Sequence, residues 1–249
     1  MANWNDPQRT RPGFGTEGFT GASVPRTREV FDAGLRSYML SIYNYMTSGV
    51  LLTGVVALLT AQTGLALTFA SGPLMWLVAL SPLAIVFAMS FGVNRFSTTT
   101  LQAMFWGFAV LMGLSLSTIF LVYTGSSIAA TFFATAGAFA GLSLFGYTTK
   151  KDLSAFGTFL IMGVVGLLIA MVVNMFLKST GLDLAISFLG VLIFAGLTAW
   201  DTQRLKASYA QLRGTEFAGK MVVMGALSLY LDFINMFLFL LRFMGNNRS

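Results

Sequence analysis

The sequence has no cysteine and no histidine among its 249 residues. That excludes disulfides, thiol nucleophiles, Cys/His zinc sites and imidazole acid–base chemistry together. Any proton chemistry must therefore run on carboxylates, and any bound metal must be a hard cation held by oxygen. Charge is scarce too: 10% of residues are charged and 56% are hydrophobic, where a soluble domain carries about 25% charged residues. So few polar groups could not cover a globular surface, which makes lipid the natural solvent. The charges are also clumped, with Arg95 alone between Arg36 and Lys150.

The net charge of +6 does not point to nucleic acid. Basic residues stand at the ends of apolar runs, where they orient helices in a bilayer. Phosphate binding would need them gathered on one soluble face. The first 35 residues are polar and rich in Arg, Gly, Pro and Thr, without the apolar core of a cleavable signal peptide. The expected organisation is a loosely ordered cytoplasmic tail over 1–35, a membrane domain over 36–245 and a short polar C-terminus over 246–249. Val30–Tyr45 is expected to form an amphipathic lead-in to the first span.

A spanning helix needs about 20 mostly apolar residues. The sequence predicts seven, at 37–60, 73–93, 101–123, 127–147, 156–177, 183–203 and 221–243. Ser71-Gly72-Pro73 places a proline where a helix start tolerates it, and Tyr123-Thr124-Gly125-Ser126 reads as a tight turn. With the N-terminus inside, the inner segments hold Arg9, Arg11, Arg26, Arg28, Arg36, Arg95, Lys150, Lys151, Arg204, Lys206, Arg213 and Lys220. The outer segments hold Lys178, Arg242 and Arg248. This asymmetry predicts a cytoplasmic N-terminus and, after an odd number of spans, a C-terminus outside. Gly107 with Gly113, Gly137 with Gly141, and Gly157, Gly163 and Gly166 are candidates for close helix packing.

Two carboxylates interrupt the apolar pattern. Asp201 lies at the inner end of the sixth span and Asp232 inside the seventh, twelve residues beyond Lys220, or about 18 Å deep. An aspartate near mid-bilayer costs about 2.5–3.5 kcal/mol on insertion scales, so something must satisfy it. Two carboxylates in contact would share a proton and titrate as one coupled pair; deprotonated, they offer oxygen to a cation. Blander readings stay open. Asp201 could pair with Arg204 or Lys206 on the next turn, and Asp232 could accept from Tyr230, Asn235 or a neighbouring helix. The depth count sets Asp201 some two turns shallower, so contact requires tilt or an earlier start to the seventh helix. Arg95 either snorkels as an inner anchor or bridges to Asp201 and closes an inner opening.

Four strings give these residues a context: Trp200-Asp201-Thr202-Gln203 with Lys206, Ser228-Leu229-Tyr230-Leu231-Asp232-Phe233-Ile234-Asn235, Asn94-Arg95-Phe96-Ser97, and Gly146 through Ser154. Together they resemble the Bax inhibitor-1 family, in its bacterial inner-membrane branch, over nearly everything after residue 30. The resemblance implies an all-α membrane protein, a seven-transmembrane helix bundle with the last helix central. It further implies a pH-sensitive calcium leak in which Asp201 and Asp232 sense protons and Arg95 is the latch. Some members carry an acidic residue in the second span; Ser81-Pro82-Leu83-Ala84-Ile85 has none.

The leading expectation is a proton-gated cation leak that touches calcium transiently through Asp201 and Asp232, with calcium as permeant ion and no cofactor. The alternative is a non-transporting modulator that restrains a membrane quality-control protease, engaged through the tail arginines. An intramembrane aspartyl protease is disfavoured, because neither aspartate has a Gly-x-Gly-Asp context, and no enzyme is expected. A secondary transporter is disfavoured by the lack of an inverted repeat.

Overall fold

Among the described residues, seven stretches form helices long and apolar enough to cross a bilayer: Val30–Gln62, Gly72–Gly92, Thr98–Val122, Gly125–Thr148, Ser154–Leu177, Thr180–Leu212 and Phe217–Met244. The computed structural model describes residues 23–69 and 72–246, with side chains from residue 30 onward. Arg9, Arg11, Arg26, Arg28, Ser71 and Arg248 fall outside those described side chains. Two units divide the chain, 1–34 and 35–249, and the second carries the bundle. The elements are α1 (Ser23–Gln62), α2 (Leu65–Phe69), α3 (Gly72–Gly92), α4 (Thr98–Leu116), α5 (Ile119–Val122), α6 (Gly125–Thr148), α7 (Ser154–Leu177), α8 (Thr180–Leu212) and α9 (Phe217–Met244). No strand occurs among the described residues. The chain is an all-α membrane protein, as its composition required.

A helix that is apolar all round must be enclosed. In α9 the buried residues Leu227, Leu229, Tyr230, Phe233, Met236 and Phe239 sweep about two-thirds of the helix circumference. Accordingly 67% of its most apolar stretch is buried, against 11–39% in the other six spans. The last helix is the central one. It packs on α8, α6 and α4, and α1 reaches it through Thr53, whose hydroxyl meets that of Tyr230 at 2.7 Å. Helices α3 and α7 stand further out, α3 against α4 and α7 against α8. Side chains on the outer surface are bare to the surroundings, as at Phe91 (83% exposed) and Phe176 (77%), which is the pattern of a lipid-facing wall.

The Tyr230 contact defines a stability test. Thr53 donates to the Ala109 carbonyl at 2.8 Å, so its oxygen is left to accept from the Tyr230 hydroxyl. Phe105 and Phe108 close on the Tyr230 ring edge to face. Tyr230→Phe therefore removes a bond and leaves Thr53 still paired. Thr53→Val strands a buried phenol hydroxyl, which costs about 1–3 kcal/mol. Thermal unfolding in detergent should show Thr53→Val as the more destabilising change; the reverse order would refute this donor assignment.

Helix ends depart from the expected spans in instructive ways. The third span breaks after Leu116, where Ser117 and Thr118 donate back to the carbonyls of Leu114 (2.6 Å) and Ser115 (3.2 Å) and compete with the helix ladder. The sixth continues to Leu212, nine residues past its expected end at 203, because Gln203, Arg204 and Lys206 are good helix formers that need no lipid. It stops just before Gly214, which takes φ +79°, a left-handed conformation that glycine adopts without penalty. The seventh starts at Phe217 rather than 221. The Thr124 turn is as expected: its hydroxyl accepts from the Ser127 amide at 3.3 Å, and Asn246 pairs with Thr124 and Ser127.

Candidate functional site

Helices α8 and α9 are antiparallel neighbours joined by residues 213–216. Asp201 stands eleven residues before Leu212 and Asp232 fifteen after Phe217. The four-residue difference is about 6 Å of height, one helical turn. Ser228, one turn before Asp232 on the same face, therefore comes level with Asp201. The two-turn offset expected from hydropathy shrinks to one turn because both helices extend beyond their apolar stretches.

The structure brings the two aspartates together. Both side chains are buried, each residue 5% exposed, and their carboxyl groups lie within hydrogen-bonding reach of each other. Ser228 donates to Asp201 Oδ2 at 2.5 Å. Arg204 brings a guanidinium nitrogen to 2.9 Å from Asp201 Oδ1, although that oxygen gains no aligned hydrogen bond from it. The same nitrogen lies 3.3 Å from the Ser228 hydroxyl, and the guanidinium rests 4.6 Å over the Trp200 ring. Asp232 Oδ2 is buried without any hydrogen-bond partner. Asn235 does not serve the site, since its amide donates to the Leu231 carbonyl at 2.8 Å.

Arg95 is elsewhere. It is exposed in the turn after α3 and forms no ion pair among the described residues. The expected Asp201–Arg95 bridge is therefore not made, because Arg204, one turn along the same helix, already occupies that carboxylate. Of the other cation weighed for Asp201, Lys206 donates instead to the Tyr147 carbonyl at 2.6 Å.

The string around Asp201 fastens α8 to several neighbours at once. Trp200 packs where α7 has Gly157, whose missing side chain leaves room for the indole. Thr202 bonds Ser143 of α6 at 2.9 Å. Gln203 accepts from the Leu153 amide at 2.9 Å and donates to the Lys151 carbonyl at 2.8 Å, fixing the α6–α7 connection. In that connection Asp152 accepts from the Ser154 amide at 2.9 Å. Hydrogen bonds from the Ser154 hydroxyl and then its amide hold the Asp152 carboxyl below the ordinary carboxylate range.

Chemically, two carboxyl groups can hydrogen-bond to each other only if one carries a proton, and such a pair titrates as a unit. With one proton, Asp201, Asp232 and Arg204 sum to zero charge. As oxygen ligands, the two carboxyls and the Ser228 hydroxyl fall short of the six to eight oxygens calcium prefers. Among the described residues no group of three or more Asp, Glu, His or Cys could hold a metal. The site could touch a passing cation without enclosing it.

Sequence reasoning missed Ser228 as the serine that reaches the acid. Its signal was the four-residue spacing to Asp232, which puts both on one helix face.

The chain matches the family described as "Inhibitor of apoptosis-promoting Bax1" over residues 35–249. It is 46% identical to an uncharacterized protein of Rickettsia prowazekii over 89% of this chain and 94% of that one. It is 45% identical to the inner membrane protein YbhL of Escherichia coli K12, over 87% of this chain and 94% of the relative. An uncharacterized membrane protein of Streptococcus pyogenes is 34% identical over 87% and 95%.

Proposed function

This chain belongs to the Bax inhibitor-1 family, and from that premise we propose that it is a proton-responsive cation leak of the bacterial inner membrane, calcium being the ion carried. The observation that carries the reading is the buried Asp201–Asp232 contact, set between the central helix and α8 and tied to Arg204 and Ser228. Charge-assisted hydrogen bonds are about twice as strong as neutral ones. While Asp201 is ionised, Ser228 and Asp232 of α9 are both held to it. A second proton on the pair removes the charge that Arg204 and Ser228 bind, and α8 and α9 lose their strongest polar tie. Acid is the opening signal.

Orientation follows from the clustering of basic residues at the end where α8 joins α9: that end is cytoplasmic, the N-terminus is inside and the C-terminus outside. The protein is no enzyme in this reading. Arg204 takes the role the sequence reading gave to Arg95. Calcium flux from reconstituted vesicles tests it across a range of pH. Arg204→Gln should raise the flux at neutral pH by about five- to a hundredfold, the span of ordinary coupling energies, and Arg95→Gln should leave it unchanged. The opposite pattern would restore Arg95 as the latch. If purified protein passes no ion at any pH, the modulator of a membrane quality-control protease is the better reading, and deleting residues 1–28 should then abolish its effect.

A further inference from the structure

The outer face between α1 and α6 carries an apolar groove of about 690 Å³. Its hollow exists because α6 presents Ala136 and Ala140 there, and its floor is Phe233 of the central helix. The polar groups on its wall are largely occupied: the Tyr43 and Ser143 hydroxyls bond each other at 2.5 Å, and Ser143 bonds Thr202 behind them. A wall of this kind suits a hydrocarbon occupant.

One end of the groove is basic. Arg36 lines it, is exposed and has no carboxylate within ion-pair distance among the described residues. Tyr147 lines the same groove, and Lys206 sits 4.7 Å from its ring. This is the end where α8 joins α9, since the Tyr38 ring lies 5.3 Å from Tyr209 in the last turn of α8. From Arg36 to Leu51, the limits of the groove on α1, fifteen residues of helix span about 22 Å. One leaflet with its headgroup layer is about 20–22 Å thick.

We propose that this groove binds one glycerophospholipid of the adjoining leaflet, its anionic headgroup on Arg36 and an acyl chain lying along Ala136 and Ala140 over Phe233. A zwitterionic headgroup brings its own cation to Arg36 and gains less from it. The inference is independent of ion conduction.

Native mass spectrometry of the detergent-purified chain tests it, with phosphatidylglycerol and phosphatidylcholine of identical acyl chains as probes. The wild type should retain phosphatidylglycerol about fivefold better, the preference one basic residue at a membrane surface supplies. Arg36→Gln, a change at an exposed position, should erase that preference while both lipids still bind. Ala140→Trp should fill the hollow and reduce retention of both, at an unchanged melting temperature. An undiminished preference in Arg36→Gln, or undiminished retention in a folded Ala140→Trp, overturns the proposal. So does retention of a second protein chain in place of lipid.

Discussion

Vesicles carrying Asp201→Asn are expected to leak calcium at neutral pH as fast as wild-type vesicles do in acid, while Asp232→Asn vesicles stay as tight as the neutral wild type. The two aspartates are not equivalent, and the difference is geometric. Asp201 receives Ser228 and lies 2.9 Å from Arg204; Asp232 has one buried oxygen with no partner and otherwise addresses Asp201. An amide at 201 cannot hold Arg204 and offers Ser228 a weaker acceptor, so it mimics the fully protonated pair. An amide at 232, turned with its NH₂ toward Asp201, donates as a protonated Asp232 would and leaves the Arg204 contact intact. The two single variants should differ at neutral pH by about five- to a hundredfold in flux. The double variant has no proton to exchange at the pair, and its flux should be flat with pH. Equal pH profiles in wild type and double variant would sink the proposed gate; a leakier Asp232→Asn would invert the assignment of roles.

Composition alone was enough to place the chain in lipid, because so few charges cannot cover a soluble surface. The seven spans were legible for a related reason, that bilayer thickness sets the length of an apolar run. Hydropathy nevertheless reports where apolar side chains stop and not where backbone hydrogen bonding stops. The pairing of Asp201 with Arg204 on the next turn was legible, but only as an interfacial contact, and Arg95 was given the latch as the more isolated cation. The sixth helix in fact runs past 203 to Leu212 and holds Arg204 at 2.9 Å from the buried Asp201. The same gap hid the early start of α9 at Phe217, which levels Ser228 with Asp201.

Glycine spacing carries a similar ambiguity, and Gly146→Val should expose it as the most damaging of the glycine substitutions. A side-chain carbon at 146 would fall 2.1 Å from the Ala199 carbonyl oxygen of α8. The obstacle is backbone, so no rotamer change relieves it and α6 and α8 must separate. The Ser143–Thr202 bond one turn away would go with them, and Asp201 would lose the helix against which α8 is seated. A loss of about 4 kcal/mol or more is expected, in the range reserved for core overpacking, seen as collapse of the thermal transition and of yield. By contrast, Gly137 and Gly141, which the sequence marks as a packing pair, would meet nothing within 4 Å, and alanine at either should leave the melting temperature within a degree or two. Spacing shows that small residues share a helix face; only the position of the facing backbone says which of them lets another helix in. A folded, stable Gly146→Val protein would mean that α6 and α8 do not approach this closely, and the seat of Asp201 would have to be drawn again.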